Sequence, residues 1–249
     1  MIIDELVTKI EAAIAGEYKE EEDSAMLPQF ARSRNSTASR SSDNQDQLAD
    51  LKTDTDGDLT DSESDVVIPY AITALQQYQL DLDAVANGYF NPLIKEYIKQ
   101  VIETEAPITK DLLCRRVMKS LNLTFQGNRM TALMNGILDD LDLKRTESAM
   151  HGNVYWKDDQ DPETYKIFRS SRERESMHIP AEEARNAAVY ILDQQGAQPG
   201  SSLIREMCKA FGYSRLGPNV EVAMLNGIEL AAAQSLIDKS NPERITLTD

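Results

Sequence analysis

The sequence predicts a mainly α-helical protein with small β-hairpins, in which one folding unit is used twice. Three stripes of apolar residues at helical spacing occur in one stretch, and the same three recur about 90 residues later without a gap. The stripes of the first stretch are Ile98, Val101 and Ile102, then Leu113, Val117, Met118 and Leu121, then Met130, Leu133, Met134, Ile137, Leu138 and Leu141. Those of the second are Ala188, Ile191 and Leu192, then Leu203, Met207, Cys208 and Phe211, then Val220, Ala223, Met224, Gly227, Ile228 and Ala231.

A competing alignment of the two stretches superposes the identical triplets 135–137 and 226–228. It requires a shift of one residue, which turns the third helix by about 100° and moves the apolar stripe away from the core. We therefore prefer the alignment that keeps the stripe buried. It places Gly227 opposite Ile137.

The elements of the first unit are three helices and a hairpin. The predicted helices span 91–104, 109–121 and 127–141, and the predicted strands span 143–146 and 154–157. Pro92 is suited to a first helical turn, Pro107 breaks the chain before the second helix, and Thr109 is its predicted N-cap. Helix, helix, helix, hairpin is the order of a winged helix-turn-helix, so residues 67–158 are predicted to form a first winged-helix unit with a leading segment.

A second winged-helix unit is predicted at 180–249, after a polar connector at 159–179. Pro180 and Pro218 begin its first and third helices, and Ser201 or Ser202 caps the second. A weaker hairpin is expected from 235–238 and 244–248.

The N-terminal part has a different composition. Residues 1–16 predict a short amphipathic helix, and residues 17–66 predict a disordered acidic linker, since they are rich in acidic and small polar residues and poor in aromatics. The chain has a formal net charge of −16, and residues 1–70 carry 17 Asp or Glu against 6 Lys or Arg. The acidic balance belongs mostly to this part, so it does not exclude nucleic-acid binding by the rest.

Membrane spans, signal peptides and disulfides are the sequence features that indicate the cellular compartment. No segment approaches the ~18 apolar residues that a membrane span requires, and acids interrupt the first residues where a signal peptide has its apolar core. Cys114 and Cys208 fall on apolar helix faces and are predicted to be reduced, packed thiols. We therefore expect a cytoplasmic protein without membrane contact.

Several blocks of the sequence resemble a known domain. Residues 102–121 read IETEAPITKDLLCRRVMKSL, 152–157 read GNVYWK, 168–193 read FRSSRERESMHIPAEEARNAAVYILD, and 203–216 read LIREMCKAFGYSRL. Their order resembles an uncharacterised domain at the C-terminal end of very large bacterial superfamily-one helicases, where it commonly follows a nuclease-like domain of the very-short-patch-repair type. Residues 1–16 resemble the terminal helix of that upstream domain.

The resemblance implies an accessory module of a bacterial DNA-processing or defence system, with a helicase or nuclease as partner. The chain has no GxxxxGK[ST] phosphate loop, helicase core or nuclease carboxylate–lysine cluster, so no catalytic residue carries over. We expect either a small separate protein or the detached end of a longer one.

Nucleic-acid binding is the sharpest functional expectation from the residues. In a winged helix the third helix enters the major groove, while the wing and the second helix hold phosphates. The candidate contacts are Lys110, Arg115, Arg116 and Lys119 on the second helix, Gln126, Asn128, Arg129 and Thr131 at the third, and Lys144, Arg145 and Lys157 at the wing. The expected mechanism holds duplex DNA through Arg129, Lys144 and Arg145, with the second unit facing protein. Asp139, Asp140 and Asp142 close the third helix and oppose a DNA backbone.

The main alternative is a protein–protein docking or oligomerisation module without nucleic-acid contact. Trp156, at the end of the wing, is its candidate aromatic anchor, unless the ring folds back over the helices as core. A small transcription regulator is a third possibility and predicts symmetric dimers. The sequence does not give the oligomeric state.

The remaining candidates concern a basic run and catalysis. Arg169, Arg172 and Arg174 either hold a phosphate strand or an acidic partner, or pair with Glu173, Glu175 and neighbouring helices. The two histidines lie in different units without metal-ligand or triad spacing. We therefore predict no enzyme activity, no catalytic residues, no metal site and no cofactor.

Overall fold

The structure is a computed structural model that describes residues 66–148, 152–171 and 174–248. The predicted helix at 1–16 and all but the last residue of the predicted linker at 17–66 lie outside this range. The described part is mainly α-helical with small β-sheets, as the sequence predicts. The domain boundaries at 67–158, 159–179 and 180–249 stay predictions.

The elements follow one another in the order that the apolar stripes indicate. The helices are α1 (Leu82–Ala86), α2 (Asn91–Glu105), α3 (Lys110–Ser120), α4 (Asn128–Asp140), α5 (Ala181–Gln195), α6 (Gly200–Ala210) and α7 (Pro218–Ala233). The strands are β1 (Val67–Pro69), β2 (Ile108–Thr109), β3 (Arg145–Ser148), β4 (Gly152–Tyr155), β5 (Phe168–Ser170), β6 (Ile237–Asp238) and β7 (Thr246–Leu247). A 3-10 turn (Ser176–His178) precedes α5.

The first half of the repeat, from α2 to β4, contains a three-stranded antiparallel sheet in the order β2, β4, β3. The hairpin of β3 and β4 lies close to its predicted position. The two-residue strand β2 was not predicted, and it places Ile108 opposite Tyr155. The sheet therefore ties the loop before α3 to the hairpin that follows α4.

The second half of the repeat, from α5 to β7, has a smaller hairpin after its three helices. Strands β6 and β7 pair antiparallel with Ile237 opposite Leu247. An isolated antiparallel bridge joins Gln198, just before α6, to Ile245. This bridge connects the loop before α6 to the hairpin after α7.

The predicted N-cap at Thr109 is confirmed in position, whereas the predicted serine caps are wrong. Thr109 is the N-cap residue of α3, but its side chain makes no capping hydrogen bond, and its hydroxyl lies 3.4 Å from Nδ1 of His178. Ser201 and Ser202 lie inside α6, which begins at Gly200 after Pro199. The φ of Pro199, −60°, is already suited to the chain's entry into the helix.

The leading segment and the connector pair with each other, which the sequence did not indicate. Strand β1 runs parallel to β5 with Val67 opposite Phe168. Farther along, the backbone N–H of Tyr78 donates to the carbonyl oxygen of Ser120 at the end of α3. The leading segment is thus bound to the connector and to the end of α3.

The predicted stripes form the core. Their residues are buried or partly buried, and Cys114 and Cys208 are free and buried, as predicted. Helices α5 and α7 approach closely at Gly227, which lies against the backbone of Ala184. Gly136 of the competing triplet alignment is exposed, whereas Gly227 is buried. None of the helices that the structure describes is long and apolar enough to cross a lipid bilayer.

Candidate functional site

The candidate contacts at the third helix lie on its first turn. Asn128, Arg129 and Thr131 are exposed, and α4 begins after Gly127, whose φ of 83° favours glycine. Oγ1 of Thr131 donates to the carbonyl oxygen of Gly127 at 3.0 Å. Nη1 of Arg129 lies 2.6 Å from Oδ1 of Asp83 in α1. Arg129 therefore has a carboxylate partner within the chain itself.

The three cations of the wing also have partners. Nη1 of Arg145 lies 3.2 Å from Oδ1 of Asp139, and Nζ of Lys157 lies 3.5 Å from Oε1 of Glu103. Nζ of Lys144 donates to two backbone carbonyls in the loop that follows β4. Asp139 belongs to the acidic end of α4, so the wing and the third helix together form a surface of mixed charge.

The cations of α3 have a different arrangement. Arg115 and Lys119 are exposed and Lys110 is half-buried. Nε of Arg115 lies 2.6 Å from Oδ2 of Asp111, one turn earlier. Arg115 and Lys119 line a groove of about 360 Å³ together with Arg116.

This groove, the α3 groove, lies between α3, the segment that follows it and the 3-10 turn. Its lining residues are Leu112, Arg115, Arg116, Lys119, Leu123, Thr124, Phe125, Gln126, Glu175 and His178. Among these lining residues three side chains are cationic and one is a carboxylate. Arg115 pairs with Asp111 and Arg116 with Glu105, whereas Lys119 makes no ion pair within the described residues.

His178 closes one side of the α3 groove. Its side chain is buried, and Nε2 lies 3.6 Å from Oδ2 of Asp111. Burial lowers the pKa of His178, and the nearby Asp111 only partly opposes this effect. Burial therefore favours the neutral form of the imidazole.

Trp156 is not available as an exposed anchor, which corrects that expectation. The side chain is 1% exposed, and its ring packs edge-on against Tyr165 at 5.3 Å between centroids. Nε1 donates to Oγ1 of Thr146 at 3.0 Å, so the polar edge of the indole is satisfied within the chain. The ring covers the core, as in the folded-back interpretation.

Arg169 and Arg174 of the basic run are buried. Nη1 and Nη2 of Arg174 donate to Oε1 and Oε2 of Glu183 at 2.8 and 2.9 Å. Nη2 of Arg169 donates to Oε1 of the same carboxylate at 2.6 Å. Nη1 of Arg169 also donates to the carbonyl oxygens of Glu105 and Ala106. The partner is therefore Glu183 at the start of α5, whereas Glu175 is exposed and Arg172 and Glu173 lie outside the described residues.

A second carboxylate completes this cluster. Oη of Tyr70 donates to Oε2 of Glu105 at 2.6 Å, and Nε of Arg116 donates to the same oxygen at 3.1 Å. The guanidinium carbons of Arg169 and Arg174 lie 4.9 and 4.4 Å from the centre of the Tyr70 ring. We call Tyr70, Glu105, Arg169, Arg174 and Glu183 the buried ion network; it joins the end of α2 to the start of α5.

The sequence reasoning missed this network. Glu183 fits the pattern of an exposed acid in the first turn of a helix, which is where it occurs. The signal that could have located it is the density of arginines, because buried charges require partners. Nothing in the spacing of the residues distinguishes Glu183 from the neighbouring Glu182.

We expect the stability of the chain to fall as the pH is lowered from about 5 towards 2. Burial alone raises the pKa of Glu183, but Arg169 and Arg174 outweigh it and lower this pKa from 4.5 to about 2. Such a carboxylate stabilises fully above its unfolded pKa and loses its contribution as the pH falls through the folded pKa. Urea midpoints measured between pH 7 and pH 3 test this, and a midpoint that stays constant below about pH 5 contradicts it.

No group of three or more His, Cys, Asp or Glu residues that could hold a metal ion occurs in the described residues. The burial of the Cys114 thiol raises its pKa to about 12, so that group is inert as a nucleophile at neutral pH.

One family model matches the chain. Residues 89–132 match the model of DUF3320, described as a protein of unknown function. The matched segment contains α2, β2, α3 and the first turn of α4, and with them much of the α3 groove. No curated protein and no solved structure shows significant similarity to the chain. The similarity to this uncharacterised domain therefore covers less than half of the chain.

Proposed function

We propose that the chain is an accessory DNA-binding module that holds the phosphate backbone against α3 in a first winged-helix unit. The observation that carries the proposal is the α3 groove, which brings Arg115, Arg116 and Lys119 together and in which Lys119 has no ion-pair partner among the described residues. Phosphate contacts from Lys and Arg supply most of the affinity of such modules, and that affinity depends on salt.

The order of the elements supports two winged-helix units. In the first half β2 pairs with β4 through Ile108 and Tyr155, and in the second half the bridge joins Gln198 to Ile245. Both partners of the bridge lie 90 positions after their counterparts in the first half. The helices on either side follow the same order. We therefore propose the same unit at 91–157 and at 181–247.

The contacts predicted on α4 and the wing take a secondary part in this proposal. Arg129, Arg145 and Lys157 form ion pairs whose partners are 70% or more exposed. Such surface pairs contribute only about 0–1 kcal/mol, so a DNA phosphate can replace the carboxylate at little cost. Asn128 and Thr131 are exposed beside Arg129 and can reach base edges.

The partner follows from the resemblance. We propose that the module acts beside a bacterial helicase or nuclease in DNA processing or in defence against foreign DNA. The DUF3320 match at 89–132 supports an uncharacterised domain of this kind. No enzyme activity, metal or cofactor is proposed for the chain itself, and we propose a cytoplasmic location for it.

The proposal predicts a measurable loss of salt-dependent binding in one double variant. We expect the full chain to bind fluorescent duplex DNA at low salt, and Arg115→Glu/Lys119→Glu to weaken this binding at least tenfold. If both side chains contact phosphates, the slope of log affinity against log salt falls by about 1.8. Fluorescence anisotropy across a salt series measures both quantities.

The second half supplies a matched control. Arg205 and Lys209 lie 90 positions after Arg115 and Lys119, are exposed on α6, and can be reversed to give the same net charge. Arg205→Glu/Lys209→Glu is expected to leave the affinity and the slope unchanged. An equal loss in both double variants, or no binding of DNA at low salt, contradicts the proposal.

A docking module without nucleic-acid contact is the second candidate. The observation that favours it is the pairing of Arg129, Arg145 and Lys157 with carboxylates of the same chain. This candidate predicts no salt-dependent DNA binding in the titration above. Light scattering over a range of concentrations then measures self-association directly, and a symmetric dimer that binds DNA supports the transcription-regulator alternative instead.

A further inference from the structure

We propose that the α3 groove binds an unpaired nucleotide, with its phosphate on Arg115 and Lys119 and its base against Phe125. This inference rests on the proposed function and goes beyond it, because it names single-stranded or frayed DNA as the ligand of the groove. A module that binds only duplex phosphates needs the cations alone.

The groove has an apolar part that phosphate binding does not require. Phe125 and Leu123 are partly buried and line the same groove as the cations of α3. Leu112 is 8% exposed and also lines it. An aromatic face beside a cationic wall is the combination by which proteins bind single strands, because every base has a stacking face and every nucleotide a phosphate.

The shape of the groove also favours a projecting group over a duplex. Reading duplex DNA through the major groove requires a convex element, such as a helix, that enters it. The α3 groove is concave, and its volume of about 360 Å³ is at the lower end of small-ligand sites. A space of this size can receive one flipped or terminal nucleotide, whereas a double helix is too wide to enter it and can contact only its exposed cations.

The segment that carries Phe125 is held in place before any ligand binds. The backbone N–H of Leu123 donates to the carbonyl oxygen of Met118 at 2.9 Å, and that of Gln126 donates to the carbonyl of Thr124 at 3.0 Å. The side chains of Thr124 and Gln126 are exposed where they line the groove and can bond to the edge of a base. The site is therefore largely preformed, which lowers the entropic cost of binding.

Two carboxylates near the cations set the balance of charge. Asp111 pairs with Arg115, and Glu175, 74% exposed, lines the groove. Arg116 is less available to a phosphate, since its Nε already donates to the buried carboxylate of Glu105. Lys119 makes no ion pair within the part of the chain that the structure describes. A phosphate beside Lys119 can bind both Lys119 and Arg115, because it can replace Asp111 in the surface ion pair of Arg115 at little cost.

The test compares three labelled DNAs with the full chain: a blunt duplex, the same duplex with a single-stranded thymidine tail, and the tail alone. We expect the tail to raise the affinity of the duplex at least about fivefold, which is the lower limit for stacking one base on an aromatic side chain. Phe125→Leu is expected to remove this preference, so that the variant binds blunt and tailed duplex equally. Phe125→Tyr keeps a ring and is expected to retain the preference.

The outcomes separate this inference from the proposed function. The inference is overturned if blunt and tailed duplex bind equally, or if the preference for the tail persists in Phe125→Leu. The proposed function is still upheld in that case if Arg115→Glu/Lys119→Glu loses duplex binding. Absence of binding to all three DNAs overturns both. Thermal unfolding of the Phe125 variants checks that the fold is intact. Photo-crosslinking of a tail that contains 5-bromouracil gives an independent readout. A crosslink to 123–126 supports the inference, and one confined to α4 or the wing contradicts it.

Discussion

Replacing Glu183 with glutamine is expected to lower the free energy of unfolding by about 3–5 kcal/mol, the largest effect of any substitution considered for this chain. The carboxylate is fully buried and receives hydrogen bonds from Arg169 and Arg174. Without its charge, the two guanidinium groups remain buried without this counter-ion. Urea unfolding at pH 7, followed by far-ultraviolet circular dichroism, measures the change.

The neighbouring Glu182 provides the control. Its Oε2 is buried without a hydrogen-bond partner, and burial raises the pKa of its carboxyl. Buried Arg185 is the cation on which Glu182 acts, but its guanidinium donates to neutral oxygens of Asn186, Gln234 and Tyr165. Glu182→Gln breaks none of these bonds, so it is expected to change stability by less than about 1 kcal/mol. Equal destabilisation by the two substitutions contradicts the role assigned to Glu183.

The buried ion network also bears on the α3 groove. Arg116 lines the groove and donates to Glu105, whose carboxylate accepts from Tyr70 as well. The wall of the groove is thereby fixed to the connector through Arg169, which donates to the backbone carbonyl of Glu105. A variant that disturbs this network therefore alters the groove without touching its exposed cations.

Helical periodicity predicted the helices well because burial follows it directly. Side chains one turn apart lie on one face, so an apolar stripe marks the face that packs. The predicted boundaries at 91–104, 109–121 and 127–141 differ from those of α2, α3 and α4 by at most one residue at each end. The strands were less well placed: β2 and β5 are two and three residues long and depend on pairing with distant partners.

The candidate site was predictable in residue type but not in context. Arg115 and Lys119, which the sequence offered as candidate phosphate contacts on the second helix, are exposed on α3. It could not show that Asp83, over 40 positions earlier, lies beside Arg129, because that contact depends on how α1 packs against α4. The same limit applies to Trp156, whose burial depends on Tyr165 in the connector.

Gly227 is a case where the sequence held a usable signal. Alignment of the two halves places it opposite Ile137, within a buried stripe, although glycine inside a helix costs about 1 kcal/mol relative to alanine. A glycine at a buried helical position indicates a close approach of another backbone. In the structure that neighbour is α5, which crosses α7 at this point.

Gly227→Ala is therefore expected to destabilise the chain by about 1–3 kcal/mol, despite the higher helix propensity of alanine. A Cβ at this position lies 2.4 Å from both the carbonyl carbon and the Cβ of Ala184, and 2.6 Å from the backbone nitrogen of Arg185. Because two of these atoms are backbone, α5 and α7 must move apart, and contacts along the whole crossing weaken.

Gly136→Ala is the matched control, since Gly136 lies inside α4 with nothing within 4 Å of its added Cβ. It is expected to stabilise the chain by about 0.5–1 kcal/mol, because alanine loses less backbone entropy on folding. The same chemical change thus has opposite signs at two helical glycines, and urea unfolding of both variants measures it. A Gly227→Ala variant as stable as Gly136→Ala contradicts the close packing of α5 on α7, because only that contact distinguishes the two positions.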